Sequence, residues 1–127
     1  MSGRKETGKV GEEIALEWLS GRGYVLRERN WRKGHEEVDL IMESERWLHI
    51  VEVKTLHDPA RMEPQEQVDS RKVRHLAHAA SAYIGAHGIK KEVHFDVVSV
   101  LIGKDGVRVE YIPEAFYPIF GSKRVLE

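Results

Sequence analysis

Three residues carry the densest chemistry in this chain: Asp39, and Glu52 with Lys54 in the triplet Glu52-Val53-Lys54. They sit in two runs, residues 37–42 and 47–54, that otherwise read as buried strands. A lone charge inside an apolar strand is costly, so residues placed there pair with each other, bind a metal or do chemistry. Two carboxylates and a lysine on one sheet face can hold a divalent cation beside a phosphodiester. The plainer alternative is an Asp–Lys or Glu–Lys ion pair at the end of a hairpin, worth little by itself.

The strands that must position this set are joined by the polar break Glu43-Ser44-Glu45-Arg46, short enough for a hairpin turn. With an even-length loop centred between Ser44 and Glu45, Asp39 faces Ile50, and Glu52 and Lys54 share its side of the sheet. Moving the centre by one residue puts Asp39 opposite Glu52, again on the same face. Diagonal cross-strand neighbours are roughly 7–8 Å apart, within reach of one shared ion. An odd-length loop would send Asp39 to the other face.

A helix is expected over residues 6–20, with Val10, Ile14, Ala15, Trp18 and Leu19 at helical spacing and Gly21-Arg22-Gly23 as its stop. On it Glu12 shares a stripe with Ala15, Leu16 and Leu19, along the core boundary, whereas Glu13 faces water. Glu12 is read either as a fourth acid at the site or as a residue that only favours the helix start. A first strand is expected over 24–31. Residues 56–67, with Pro59 and Pro64, read as a loop and substrate-contacting flap.

The second helix is marked by Val73, Leu76, Ala77, Ala80, Tyr83 and Ile84, with Asp69 as cap, Val68 and Val73 as a hydrophobic staple, and 85–88 as its end. A strand over 93–102, a turn at 103–106 and a strand over 107–112 follow. The apolar tail 116–120 is expected to dock on the chain's own core. The order α-β-β-β-α-β-β predicts an α/β fold: one domain over 1–127, a mixed central sheet with a helix on each face.

The 127 residues hold no cysteine, which excludes disulfides and cysteine-ligated zinc or iron–sulfur centres. No apolar run approaches a membrane span and the first residues lack an apolar signal core, so a cytoplasmic protein without a membrane partner is expected. A net charge of −1, from 20 basic and 21 acidic residues, makes distribution matter more than the sum. Arg27, Arg29, Arg32 and Lys33 flank the first strand; Arg71, Lys72, Arg74, His75 and His78 crowd the second helix. The histidines show no metal set: His75 and His78 share a helix face without a supporting carboxylate. There is neither a phosphate-binding glycine loop nor a nucleophile elbow. Asp96, in an apolar strand, reads as a structural acid at the sheet edge.

Gly11-Glu12 with Ala15 and Leu19, Asn30 with Arg32, the run 37–41, Val51-Glu52-Val53-Lys54, Arg71-Lys72 with Leu76, Ala80 and Tyr83, and Phe95-Asp96-Val97-Val98 occur in this order. Together they resemble the PD-(D/E)XK nuclease superfamily with its restriction endonuclease-like core. Within it they are similar to the YraN-like family of small predicted bacterial endonucleases, related to archaeal Holliday junction resolvases. The resemblance covers nearly the whole chain. It departs at Glu36, where the pattern usually has glycine, and at Thr55-Leu56, where many relatives carry a basic residue.

The resemblance implies that Asp39 and Glu52 are metal ligands, Lys54 the catalytic lysine and Glu12 an auxiliary acid. The expected cofactor is Mg²⁺ (or Mn²⁺), held by Asp39, Glu52 and a backbone carbonyl near Val53. The expected partner is DNA, branched DNA included, with Arg32, Arg71, Lys72 and Arg74 on its backbone; a homodimer is left open. Two alternatives stand beside this reading: a catalytically inactive nucleic-acid-binding module of the same fold, and a protein-interaction adaptor using the apolar tail.

Overall fold

The computed structural model describes residues 3–57 and 70–116, with side chains from residue 8 onward. Helix α1 (Gly3–Gly21) is followed by strands β1 (Val25–Lys33), β2 (Glu36–Glu43) and β3 (Trp47–Leu56), helix α2 (Ser70–His87), and strands β4 (Glu92–Gly103) and β5 (Gly106–Phe116). The strands form one sheet in the order β1-β2-β3-β4-β5. All neighbours are antiparallel except β3 and β4, which run parallel across the α2 crossover. This is the element order expected from the sequence, a mixed sheet with a nuclease-like core.

The sheet buries both faces, which is why β2, β3 and β4 carry apolar residues at consecutive positions, as in Leu40-Ile41-Met42 and Val97-Val98, rather than only at alternate ones. On one face Leu76, Ala79, Ala80 and Tyr83 of α2 pack on Val38, Ile41, Leu48, Ile50 and Phe95. On the other, Ala15 and Leu19 of α1 pack on Leu40, Met42, Val51, Val98 and Val100. The α1 stop works as its residues suggest: Gly23 adopts φ 96°, and the Tyr24 N–H donates to the Leu19 carbonyl at 3.1 Å, a turn that L side chains resist.

The differences from expectation are local. Val10, expected in the buried stripe of α1, is 50% exposed. Gly11 already lies against Thr55, one residue from the end of β3, so the preceding turn has no sheet beneath it. Leu56, expected in the loop, belongs to β3, and β5 runs on to Phe116. Phe116 packs on Phe95 with ring centroids 5.4 Å apart, in line with a tail that docks on its own core. Residues 117–120, and the expected flap, staple and cap at Pro59, Pro64, Val68 and Asp69, lie outside the described residues. Among the described residues no helix is long and apolar enough to cross a membrane.

Candidate metal centre

The hairpin between β2 and β3 is closed by the Ser44 N–H donating to the Trp47 carbonyl at 3.0 Å, and its pairs run from Glu43↔Leu48 to Leu40↔Val51. The turn therefore centres between Glu45 and Arg46, and the second of the two expected registers is the one adopted. The next pair would be Asp39 with Glu52, but the regular ladder stops short of it. Instead the Val53 N–H donates to Asp39 Oδ2 at 2.8 Å. A side-chain carboxylate thus does the work of a main-chain carbonyl, and β2 parts from β3 at this point. The alternation of β2 breaks with it: Val38 and Leu40, two residues apart, lie in opposite cores.

Across from this break, on β1, the pairs Arg29↔Leu40 and Trp31↔Val38 flank Asn30, which takes a positive φ of 49°. Such a conformation costs roughly 1–3 kcal/mol in a residue other than glycine and clusters at functional sites. It lets Asn30 Nδ2 donate to Glu12 Oε1 at 3.0 Å, tying α1 to the opening. Helix and sheet approach closely here because residue 11 is glycine: a Cβ at that position would collide with Thr55 Oγ1. As expected, Glu12 lies at the core boundary and Glu13 faces water.

The electrostatics are unbalanced. Glu52 is 3% exposed; its Oε2 faces Lys54 Nζ at 3.1 Å and Lys72 Nζ at 3.4 Å, while its buried Oε1 has no hydrogen-bond partner. Burial foremost, then the charges of Glu52 and Glu12, push the Asp39 carboxyl up to about 8, against the opposing pull of the Val53 N–H and Lys72. An orphaned carboxylate oxygen next to a carboxyl that resists ionising is a donor set short of positive charge. Hard oxygen donors of this kind suit Mg²⁺ or Mn²⁺.

Glu12, Asp39, Glu52 and Lys54 therefore converge, and Lys72 joins them from α2 rather than standing with the surface cations. Arg71 and Arg74 are exposed on α2, and Arg32 is paired with Glu37 at 3.1 Å. Of the two departures from the resemblance, Thr55 is the residue against which Gly11 packs, and Glu36 lies 3.5 Å from His78.

A second polar cluster lies on β3 and its other neighbour, β4. His49, His94 and Asp96 each offer a ligand atom within 4.8 Å of the others, a set that can hold a divalent cation. This candidate set was missed by reading the histidines from their spacing alone. The placement of Asp96 at the sheet edge is corrected: β4 lies between β3 and β5, and Asp96 is fully buried. The signal was present as two polar residues in apolar strands, but only the parallel β3–β4 register brings them together.

The chain matches the family model described as "Uncharacterised protein family UPF0102" over residues 11–100. A UPF0102 protein of Bacteroides thetaiotaomicron is 42% identical over 93% of this chain and 98% of its own length. One from Bacteroides fragilis is 46% identical over 87% and 92%, and one from Porphyromonas gingivalis 38% identical over 91% and 87%.

Proposed function

The chain belongs to the UPF0102 family, the YraN-like family, and on that premise we propose that it is a metal-dependent nuclease that hydrolyses phosphodiester bonds in DNA, with a preference for branched structures. The observation that carries this reading is the pair of half-buried Asp39 and buried Glu52, with one oxygen unpartnered and one carboxyl held toward its neutral form. Replacing that proton by a cation relieves both faults at once. Asp39, Glu52 and the Val53 carbonyl would hold it. Bound Mg²⁺ or Mn²⁺ would polarise the scissile phosphate and lower the pKa of the attacking water.

The chain's own residues do the rest. Lys54, 3.1 Å from Glu52 on the same strand, orients the water and donates to the charge that develops on the phosphate. Glu12, held by Asn30, accepts a proton at the far side of the opening. Lys72 places an ammonium at the start of α2, where free N–H groups also favour phosphate, and Arg32, Arg71 and Arg74 contact the DNA backbone without reading sequence. A second reading, a DNA-binding module without turnover, has one observation in its favour: both lysines are engaged by Glu52 Oε2.

Linear, flapped, forked and four-way-junction DNA with Mg²⁺ or Mn²⁺ provide the test. Wild type should cut branched DNA in a metal-dependent way. Lys54→Ala should slow cleavage by more than about a hundredfold, the scale of a proton-transfer or orienting group, with DNA affinity unchanged. Binding without cutting by wild type would hand the site to the second reading.

A further inference from the structure

We propose that His49, His94, Asp96 and Glu114 form a second metal site, selective for a borderline transition-metal cation of the Zn²⁺ type and separate from the carboxylate pair of β2 and β3. His49 and His94 are direct neighbours in the parallel β3–β4 register, and Asp96 follows His94 on the same face of β4. His49 Nδ1 lies 2.8 Å from Asp96 Oδ2, and His94 Nε2 lies 2.8 Å from Glu114 Oε2. One nitrogen of each imidazole lies at hydrogen-bond distance from a carboxylate oxygen, and because His49, His94 and Asp96 each offer a ligand atom within 4.8 Å of the others, one divalent cation can take the place of the protons between them. Two nitrogen donors and one oxygen donor converge, Glu114 adjoins them through His94 as the source of a fourth, and imidazole selects Zn²⁺ over Mg²⁺.

The surroundings hold these donors in place. Tyr111 Oη donates to Asp96 Oδ2 at 2.7 Å, and the Glu114 N–H donates to Asp96 Oδ1 at 2.8 Å. His49 Nε2 is 2.8 Å from Ser44 Oγ, which fixes the ring through its second nitrogen. Tyr24 stacks on His49 with centroids 4.5 Å apart, and Trp47 on His94 at 4.1 Å. Glu114 is brought in by a distortion of β5: Phe95 pairs with Phe116 and Val97 with Ile112, so three residues of β5 oppose Asp96 alone. Glu114 itself takes φ 50°, a strained conformation that turns both its N–H and its carboxylate toward the cluster. His94 is 15% exposed and Glu114 40%, which leaves a path for a cation to enter.

Zinc is the probe. Calorimetric titration of Zn²⁺ into full-length protein carrying Asp39→Asn and Glu52→Gln should show one site, and Zn²⁺ but not Mg²⁺ should raise the melting temperature. Adding His94→Ala, at a partly exposed position, should weaken Zn²⁺ by more than about tenfold, as should Glu114→Ala, with circular dichroism confirming that both variants fold. Co²⁺ should give visible absorption bands that the same two variants lose. A weakening below about tenfold in both variants, or absent Zn²⁺ binding in the carboxylate double variant, would overturn the site.

Discussion

Two polar clusters meet on strand β3, and they differ in what they lack. Around Asp96, no buried side-chain heteroatom of the network lacks a partner: His49, Tyr111 and the Glu114 N–H all close on one carboxylate, and Ser44 completes the His49 imidazole. Around Glu52, one oxygen is orphaned and the neighbouring Asp39 resists ionising. The first cluster is compatible with folding by itself, and a cation there would replace protons. The second is held together against its own repulsion, as expected where function rather than stability selects the residues. Buried charge is therefore informative only together with its partners.

Breaking the satisfied cluster should cost most. Asp96→Ala leaves the buried His49, the Tyr111 hydroxyl and the Glu114 N–H without their acceptor, and should destabilise the fold by about 3–5 kcal/mol in urea titration. A loss below about 1 kcal/mol would show that the network relaxes freely onto water.

The unbalanced cluster should respond to pH instead. The Asp39 carboxyl is raised from 3.8 to about 8, so the folded state holds this proton more tightly than the unfolded chain. Its contribution to stability is complete below the unfolded value, near pH 4, and is lost as pH rises through about 8. Metal-free protein should thus lose stability across that window at up to about 1.4 kcal/mol per pH unit from this group, and Asp39→Asn should flatten the slope. A slope unchanged by the substitution would mean that Asp39 ionises without penalty.

The smallest stability effect belongs to Glu12, at the rim of the opening. Glu12→Gln keeps an acceptor for Asn30 and should change stability by a few tenths of a kcal/mol. Cleavage should nonetheless fall clearly. Unaltered cleavage would reduce Glu12 to a helix-supporting residue.

Much of this arrangement was legible in the residues. The periodicity of Leu76, Ala80 and Tyr83 and the doubly apolar strands are local signals, and they yield the element order. The even hairpin register, and with it the proximity of Asp39 and Glu52, was one of the parities the loop allowed. The break in β2 at Asp39 does not follow, since it depends on a side chain accepting the Val53 N–H in place of a carbonyl. His49 and Asp96 are 47 residues apart and meet only through a parallel crossover, which no hairpin arithmetic reaches. Val10 fits the helical period yet has no sheet beneath it, because amphipathic spacing does not say where the opposing surface ends.

The central claim is that Asp39 and Glu52 are a cation site awaiting charge. Calorimetric titration of Mn²⁺ into wild type and Asp39→Asn, both carrying His94→Ala to silence the second cluster, tests it directly. Wild-type Asp39 should bind one Mn²⁺, more tightly at pH 8.5 than at pH 6.5 because the cation displaces the Asp39 proton, and the Asn variant should lose that binding. Equal Mn²⁺ affinity in the two proteins would contradict the account.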